Sequence, residues 1–187
     1  MKLKASQIRK GNVITFRNEL CVMTDVMHVT PGKGPAFIQG KMKNIKTGQN
    51  AEYRFRPDES VEKIDLQTRK MEYLYEDAGS YIFMDQETYD QIPLDTDLLG
   101  DAPLYMPANT VVDVSFHGAE PIGVELPFTV ELTVKETEPN LKTATVSSSY
   151  KPAVMETGLK VQIPPFIEEG EKIKIDTRDG KYLERVK

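Results

Sequence analysis

The chain has 187 residues, a net charge of −5, 28% charged residues and no tryptophan, a balance that suits several small domains better than one large core. Its single cysteine, Cys21, excludes an intramolecular disulfide and fits a reducing compartment. No apolar run approaches the ~20 residues that cross a bilayer, and Met1-Lys2-Leu3-Lys4-Ala5-Ser6 leads into no signal-peptide core, so a cytoplasmic protein without a membrane segment is expected.

In chain order, the first third reads as strands over 12–16, 20–29, 36–45 and 51–55, separated by Arg17-Asn18 and Thr47-Gly48-Gln49-Asn50. Four or five short strands in so few residues predict a small closed barrel, because closure removes exposed sheet edges. Between the second and third strands lies Thr30-Pro31-Gly32-Lys33-Gly34-Pro35. Gly32 and Gly34 bare the backbone on both sides of Lys33, and Pro31 and Pro35 stiffen the stem, which predicts one ammonium group at a hairpin tip. A Walker-type phosphate loop is excluded, because Pro35 and Ala36 follow Gly34 and no helical period follows them. On this pattern alone Lys33 is a solvated turn lysine, a lysine that reaches into another object, or one that an enzyme grasps and modifies.

A second unit is expected from Asp65. Residues 71–75 and 81–85 form a hairpin around Glu76-Asp77-Ala78-Gly79-Ser80, and 85–92 is expected to hold one short helical turn ending before Pro93. Over 111–117 the alternation places Val112, Val114 and Phe116 inward and Asp113, Ser115 and His117 outward, with a further strand over 122–126. The third unit opens at Phe128 with a strand over 129–135. A polar loop is expected over 136–150, then strands over 158–163, 171–176 and 182–186, the last two joined by Asp176-Thr177-Arg178-Asp179-Gly180. The fold class expected is all-β: three small β-barrels over 1–64, 65–127 and 128–187, the second and third fitting five-stranded oligonucleotide-binding (OB) barrels.

Charge divides along the same lines. Residues 1–64 carry 12 Lys/Arg against 6 Asp/Glu, residues 65–127 carry 2 against 13, and residues 128–187 carry 10 of each. Such a chain can lay its first third on polyanion through Lys33, Lys41, Lys43, Lys46, Arg54 and Arg56, while its acidic middle turns to solvent or to basic protein. The alternative is a solvated charged face.

No catalytic, cofactor or metal site is expected. His28 and His117 are far apart, Cys21 has no cysteine partner at metal spacing, and Asp95, Asp97 and Asp101 fail as a calcium loop because Leu99 and Met106 stand at required ligand positions. Gly-x-Ser-x-Gly is missing, Ser147-Ser148-Ser149 reads as loop, and no carboxylate spacing points to an acid–base pair.

Pro31-Gly32-Lys33-Gly34-Pro35-Ala36-Phe37, Met71-Glu72-Tyr73-Leu74-Tyr75, Phe83-Met84-Asp85, Gly123-Val124-Glu125-Leu126-Pro127, Lys151-Pro152-Ala153, Glu156-Thr157-Gly158 and the ending from Asp176 to Lys187 together resemble bacterial translation elongation factor P, in order and over the whole chain. The resemblance implies an N-terminal KOW/SH3-like barrel followed by two OB barrels in an L. It implies a non-enzymatic translation factor.

By the same resemblance, the chain binds the ribosome between the peptidyl and exit tRNA sites and rescues ribosomes stalled on consecutive prolines. Lys33 is then the position extended after translation, by β-lysylation or another group, which calls for a lysine-modifying enzyme as a partner beside the ribosome, peptidyl-tRNA and ribosomal RNA. The loop tip is Pro31, Gly32, Gly34 and Pro35. Lys41, Lys43 and Arg54 face RNA, and Tyr182 and Arg185 stack on or bond the tRNA body, Tyr182 having a barrel-rim contact as its alternative. A monomer is expected. The chain departs from the family at Thr30, where lysine is common, and at Asn140 and Thr143-Ala144-Thr145, where the family has glycine and Gly-Asp-Thr in the loop that faces the exit-site codon. The two-domain hypusine-bearing factor of eukaryotes and archaea is too short to account for this length. Two other readings compete: a swinging-arm carrier, against which the two glycines beside Lys33 speak, and a general RNA-binding OB protein.

Overall fold

The computed structural model describes residues 1–139 and 150–186. The chain is all-β, in three sheets. The first holds β1 (Lys2–Lys4), β2 (Val13–Phe16), β3 (Glu19–Val29), β4 (Phe37–Asn44), β5 (Asn50–Phe55) and β6 (Ser60–Ile64), in the order β1-β6-β2-β3-β4-β5. Its core gathers Ile8, Ile14, Met23, Ile38, Met42 and Phe55. The strand expected over 20–29 is present, but the face it buries before the register shift between Met23 and Asp25 carries Cys21 and Met23, opposite to the alternating Leu20 and Val22. Strands β1 and β6 were not expected. They are short, and each buries little, so their periodicity is weak.

The second sheet holds β7 (Gln67–Asp77), β8 (Ser80–Asp85), β9 (Gln91–Asp95), β10 (Val111–His117) and β11 (Glu120–Glu125), in the order β11-β10-β7-β8-β9. The predicted hairpin forms around Ala78-Gly79, both at positive φ as a tight two-residue turn requires. Val112, Val114 and Phe116 are buried, as their alternation predicts. The helical turn expected over 85–92 is corrected. The Asp85 carboxylate accepts the N–H groups of Glu87 and Thr88 at 2.8 and 3.2 Å, and Tyr89 lies at φ 64°, so the chain leaves its single turn and runs extended through Pro93. The short helix α1 instead spans Thr96–Leu99.

The third sheet holds β12 (Thr129–Thr137), β13 (Lys151–Met155), β14 (Lys160–Ile163), β15 (Lys172–Asp176) and β16 (Tyr182–Arg185), in the order β14-β13-β12-β15-β16. Strand β12 pairs with β15 through its first half and with β13 through its second, with a register shift at Val134/Glu136. One strand thus serves two half-barrels around Leu132, Met155, Ile163, Ile167 and Ile173. The polar loop expected over 136–150 begins later than predicted, because Glu136 and Thr137 belong to β12. Asn140, Thr143-Ala144-Thr145 and Ser147-Ser148-Ser149 lie outside the described residues. Strand β13 was missed because Pro152 lowers strand propensity; its carbonyl accepts the Thr137 hydroxyl at 3.0 Å.

Candidate functional site

Strands β3 and β4 pair as far as Val29 and Phe37, and the seven residues between them form the tip. Gly32, Lys33, Gly34, Pro35 and Ala36 are exposed, and Pro31 is half-buried. Gly34 sits at φ +108°, a conformation that side chains rarely adopt, and a Cβ there would meet only the Pro31 ring at 3.9 Å. Among the described residues no hydrogen bond or ion pair holds the Lys33 ammonium. The stem below is anchored: Gly40 packs so closely that a Cβ would lie 2.6 Å from Met23 Cε and 2.9 Å from the Phe55 ring.

The outer face of β3, β4 and β5 brings Lys41, Lys43 and Arg54 together, but not as an unbroken basic stripe. Lys41 stands in register between Asp25 and Glu52, Lys43 between Val22 and Asn50, and Arg54 beside Gln39. Gln39 in turn donates to Glu52. The Arg54 guanidinium lies over the Phe37 ring, 5.0 Å from its centroid. Lys46 is committed to Glu120 at 2.7 Å, a pairing that holds the Glu120 carboxyl below its ordinary range. Asp25, Glu52 and Glu120 are therefore the members of this surface that charge counting along the chain does not reveal.

In the third sheet Tyr182 packs against the core, and burial, followed by Tyr150, pushes its phenol upward. Arg185 is exposed, with its guanidinium 3.3 Å from Glu171. The turn before them is closed by side-chain hydrogen bonds. Asp176 accepts the Arg178 N–H, Nε and Nη2 groups at 2.9, 3.0 and 2.6 Å, which lowers its carboxyl from 3.8 to about 2. Among the described residues no group of three or more His, Cys, Asp or Glu is placed to hold a metal ion, and no helix is long and apolar enough to cross a membrane.

Three family models match in sequence: the elongation factor P KOW-like domain over residues 4–61, the elongation factor P OB domain over 66–124 and the elongation factor P C-terminal model over 130–185. Elongation factor P of Acidobacterium capsulatum is 49% identical over 185 residues, covering 99% of this chain and all of that one. Elongation factor P of Acidithiobacillus ferrooxidans is 46% identical over 185 residues, with the same coverage. A solved structure titled eukaryotic translation initiation factor 5A from Methanococcus jannaschii shares the fold over 68% of this chain and 92% of its own, with a TM-score of 0.55 at 18% identity. With its whole length matched at this identity, the chain belongs to the elongation factor P family of translation factors.

Proposed function

We propose that this protein acts without catalytic chemistry of its own, binding the ribosome between the peptidyl and exit tRNA sites and promoting peptide-bond formation at consecutive prolines. The observation that carries this reading is Lys33, exposed on a Gly/Pro-stiffened tip with no partner among the described residues. Proline is a slow participant because its ring fixes φ and its nitrogen is constrained. A factor that holds the acceptor end of peptidyl-tRNA in a productive pose lowers the entropic part of the barrier, and positioning contributes up to roughly 7–11 kcal/mol in the best model systems. A single ammonium group on a narrow support brings positive charge to an anionic tRNA backbone where little room remains. A lysine-modifying enzyme that adds a second amine to Lys33 would lengthen the reach and add donors.

In this reading the segments 1–64, 65–127 and 128–187 act as three domains of a cytoplasmic monomer. Lys41, Lys43 and Arg54 meet RNA from the first and Tyr182 and Arg185 from the third. The test is translation of a Pro-Pro-Pro reporter with wild type and Lys33→Ala. The expected result is full loss of rescue with unchanged thermal stability, because the side chain is exposed and, among the described residues, no hydrogen bond or ion pair ties it to its own fold. Unchanged synthesis through the prolines would refute the role of Lys33. Intact mass of the protein from its native host reports the modification, and a lipoyl or biotinyl increment would favour a carrier instead.

A further inference from the structure

Strand β7 carries a bulge at Leu74: Tyr73 pairs with Phe83 and Tyr75 with Ile82. One extra residue reverses the side-chain alternation beyond it. Tyr75 is turned outward and stands 52% exposed, while Glu76, opposite Tyr81, joins the face that Tyr73 and Phe83 occupy. The Tyr73 ring lies 5.8 Å from Tyr81 and 5.5 Å from Phe83, centroid to centroid. Tyr73, Tyr75, Glu76 and Tyr81 line a cleft of 520 Å³, which Leu104, Pro107 and Glu156 help to close, while Phe83 is buried beneath it. The walls are tied to each other. The Thr157 hydroxyl donates to the Leu104 carbonyl at 2.5 Å, the Asn109 N–H donates to the Tyr73 carbonyl at 2.7 Å, and the Tyr73 N–H donates to the Thr110 carbonyl at 2.9 Å.

The cleft has the chemistry of a cation acceptor. Its tyrosine rings offer π faces, and burial, then Tyr81 and Glu76, raise the Tyr73 phenol, which keeps it neutral. Among the described residues Glu76 has no cationic partner, and Glu156 uses one oxygen to accept the Thr133 N–H at 2.9 Å. The stretch around it, residues 65–127, carries 13 acids against 2 bases, which repels nucleic acid and attracts basic protein. A guanidinium is planar, stacks on aromatic faces and meets carboxylates through paired donors, so it suits these walls better than an ammonium does. We infer that this cleft docks an arginine side chain from a basic protein segment, stacked on the tyrosines and paired with Glu76 and Glu156. The inference is independent of Lys33 and goes beyond the tRNA-directed role of the first domain.

The test is isothermal titration of the full chain at low salt with an acetylated, amidated hexa-arginine peptide. Saturable binding is expected, weakened about tenfold by Glu76→Gln with Glu156→Gln, as the loss of two charge-assisted contacts implies. Glu87→Gln with Asp90→Asn removes the same charge from the β8–β9 turn and should weaken binding less than about twofold. Equal weakening by the two pairs would reduce the effect to net charge and overturn the site, as would no saturable binding. Spermine bound as tightly, with the same sensitivity to Glu76 and Glu156, would make the occupant a free polyamine and overturn the protein-segment reading.

Discussion

The guanidinium of Arg54 rests on the ring of Phe37, the first residue of β4 after the tip that carries Lys33. One basic residue of the outer face is therefore also a brace for the stem. Arg54→Lys keeps the charge and loses the planar stack, and should cost about 0.5–1 kcal/mol of stability, read as a lower thermal midpoint. Phe37→Leu should give a similar loss, and the double variant should lose little more than either single one. Additive losses would show that the two side chains do not act together.

Gly40 sits where strand β4 passes under Met23 and Phe55. Gly40→Ala should destabilise by about 1–3 kcal/mol, because the added carbon overlaps the Phe55 ring, which has no flexible end to move. Combining it with Met23→Ala should recover only the Met23 part of the clash. Denaturant unfolding of the single and double variants checks this.

Asp176 contributes to the acid limb of the stability profile. Its carboxyl is held at about 2 in the folded chain, first by the side-chain hydrogen bond from Arg178, against an ordinary value of 3.8. A depressed folded value means stability that is present above the ordinary value and lost as pH falls from 3.8 towards 2. Asp176→Asn should therefore lower the thermal midpoint at neutral pH, and the difference from wild type should shrink through that window. A difference that stays constant down to pH 2 would remove Asp176 from this role.

Arg185 and Glu171 pair at 3.3 Å on an exposed surface, where such a bond competes with any RNA phosphate for the guanidinium. Arg185→Ala should weaken ribosome association severalfold and reduce its salt dependence. Glu171→Gln releases the arginine and should leave association unchanged or tighter. Ribosome pelleting across a salt series distinguishes the two, and unchanged binding by Arg185→Ala would take it out of the interface.

The Lys33 tip was legible because every signal for it is local: period-two alternation on both sides and a Gly/Pro frame between. The alternation of Val112, Val114 and Phe116 was legible for the same reason. What sequence did not show lies in pairings between distant residues. Lys46 and Glu120 are 74 residues apart, so a basic count over the first third overstates its unpaired positive charge. Lys41 is bracketed by Asp25 and Glu52 only through sheet register. Strand β13 was hidden by Pro152, and the turn after Asp85 read as helix because its backbone bonds close through a carboxylate and a left-handed Tyr89, neither of which hydrophobic periodicity records.

The middle sheet ends on β11 at one border and β9 at the other, and each of those outermost strands contains a proline, Pro121 and Pro93. Neither rim can present an uninterrupted row of N–H donors, so a neighbouring chain that approached edge-on would find its ladder broken at once. Proline, which at position 152 concealed strand β13, at positions 121 and 93 thus works against edge-to-edge pairing of crowded copies of the protein.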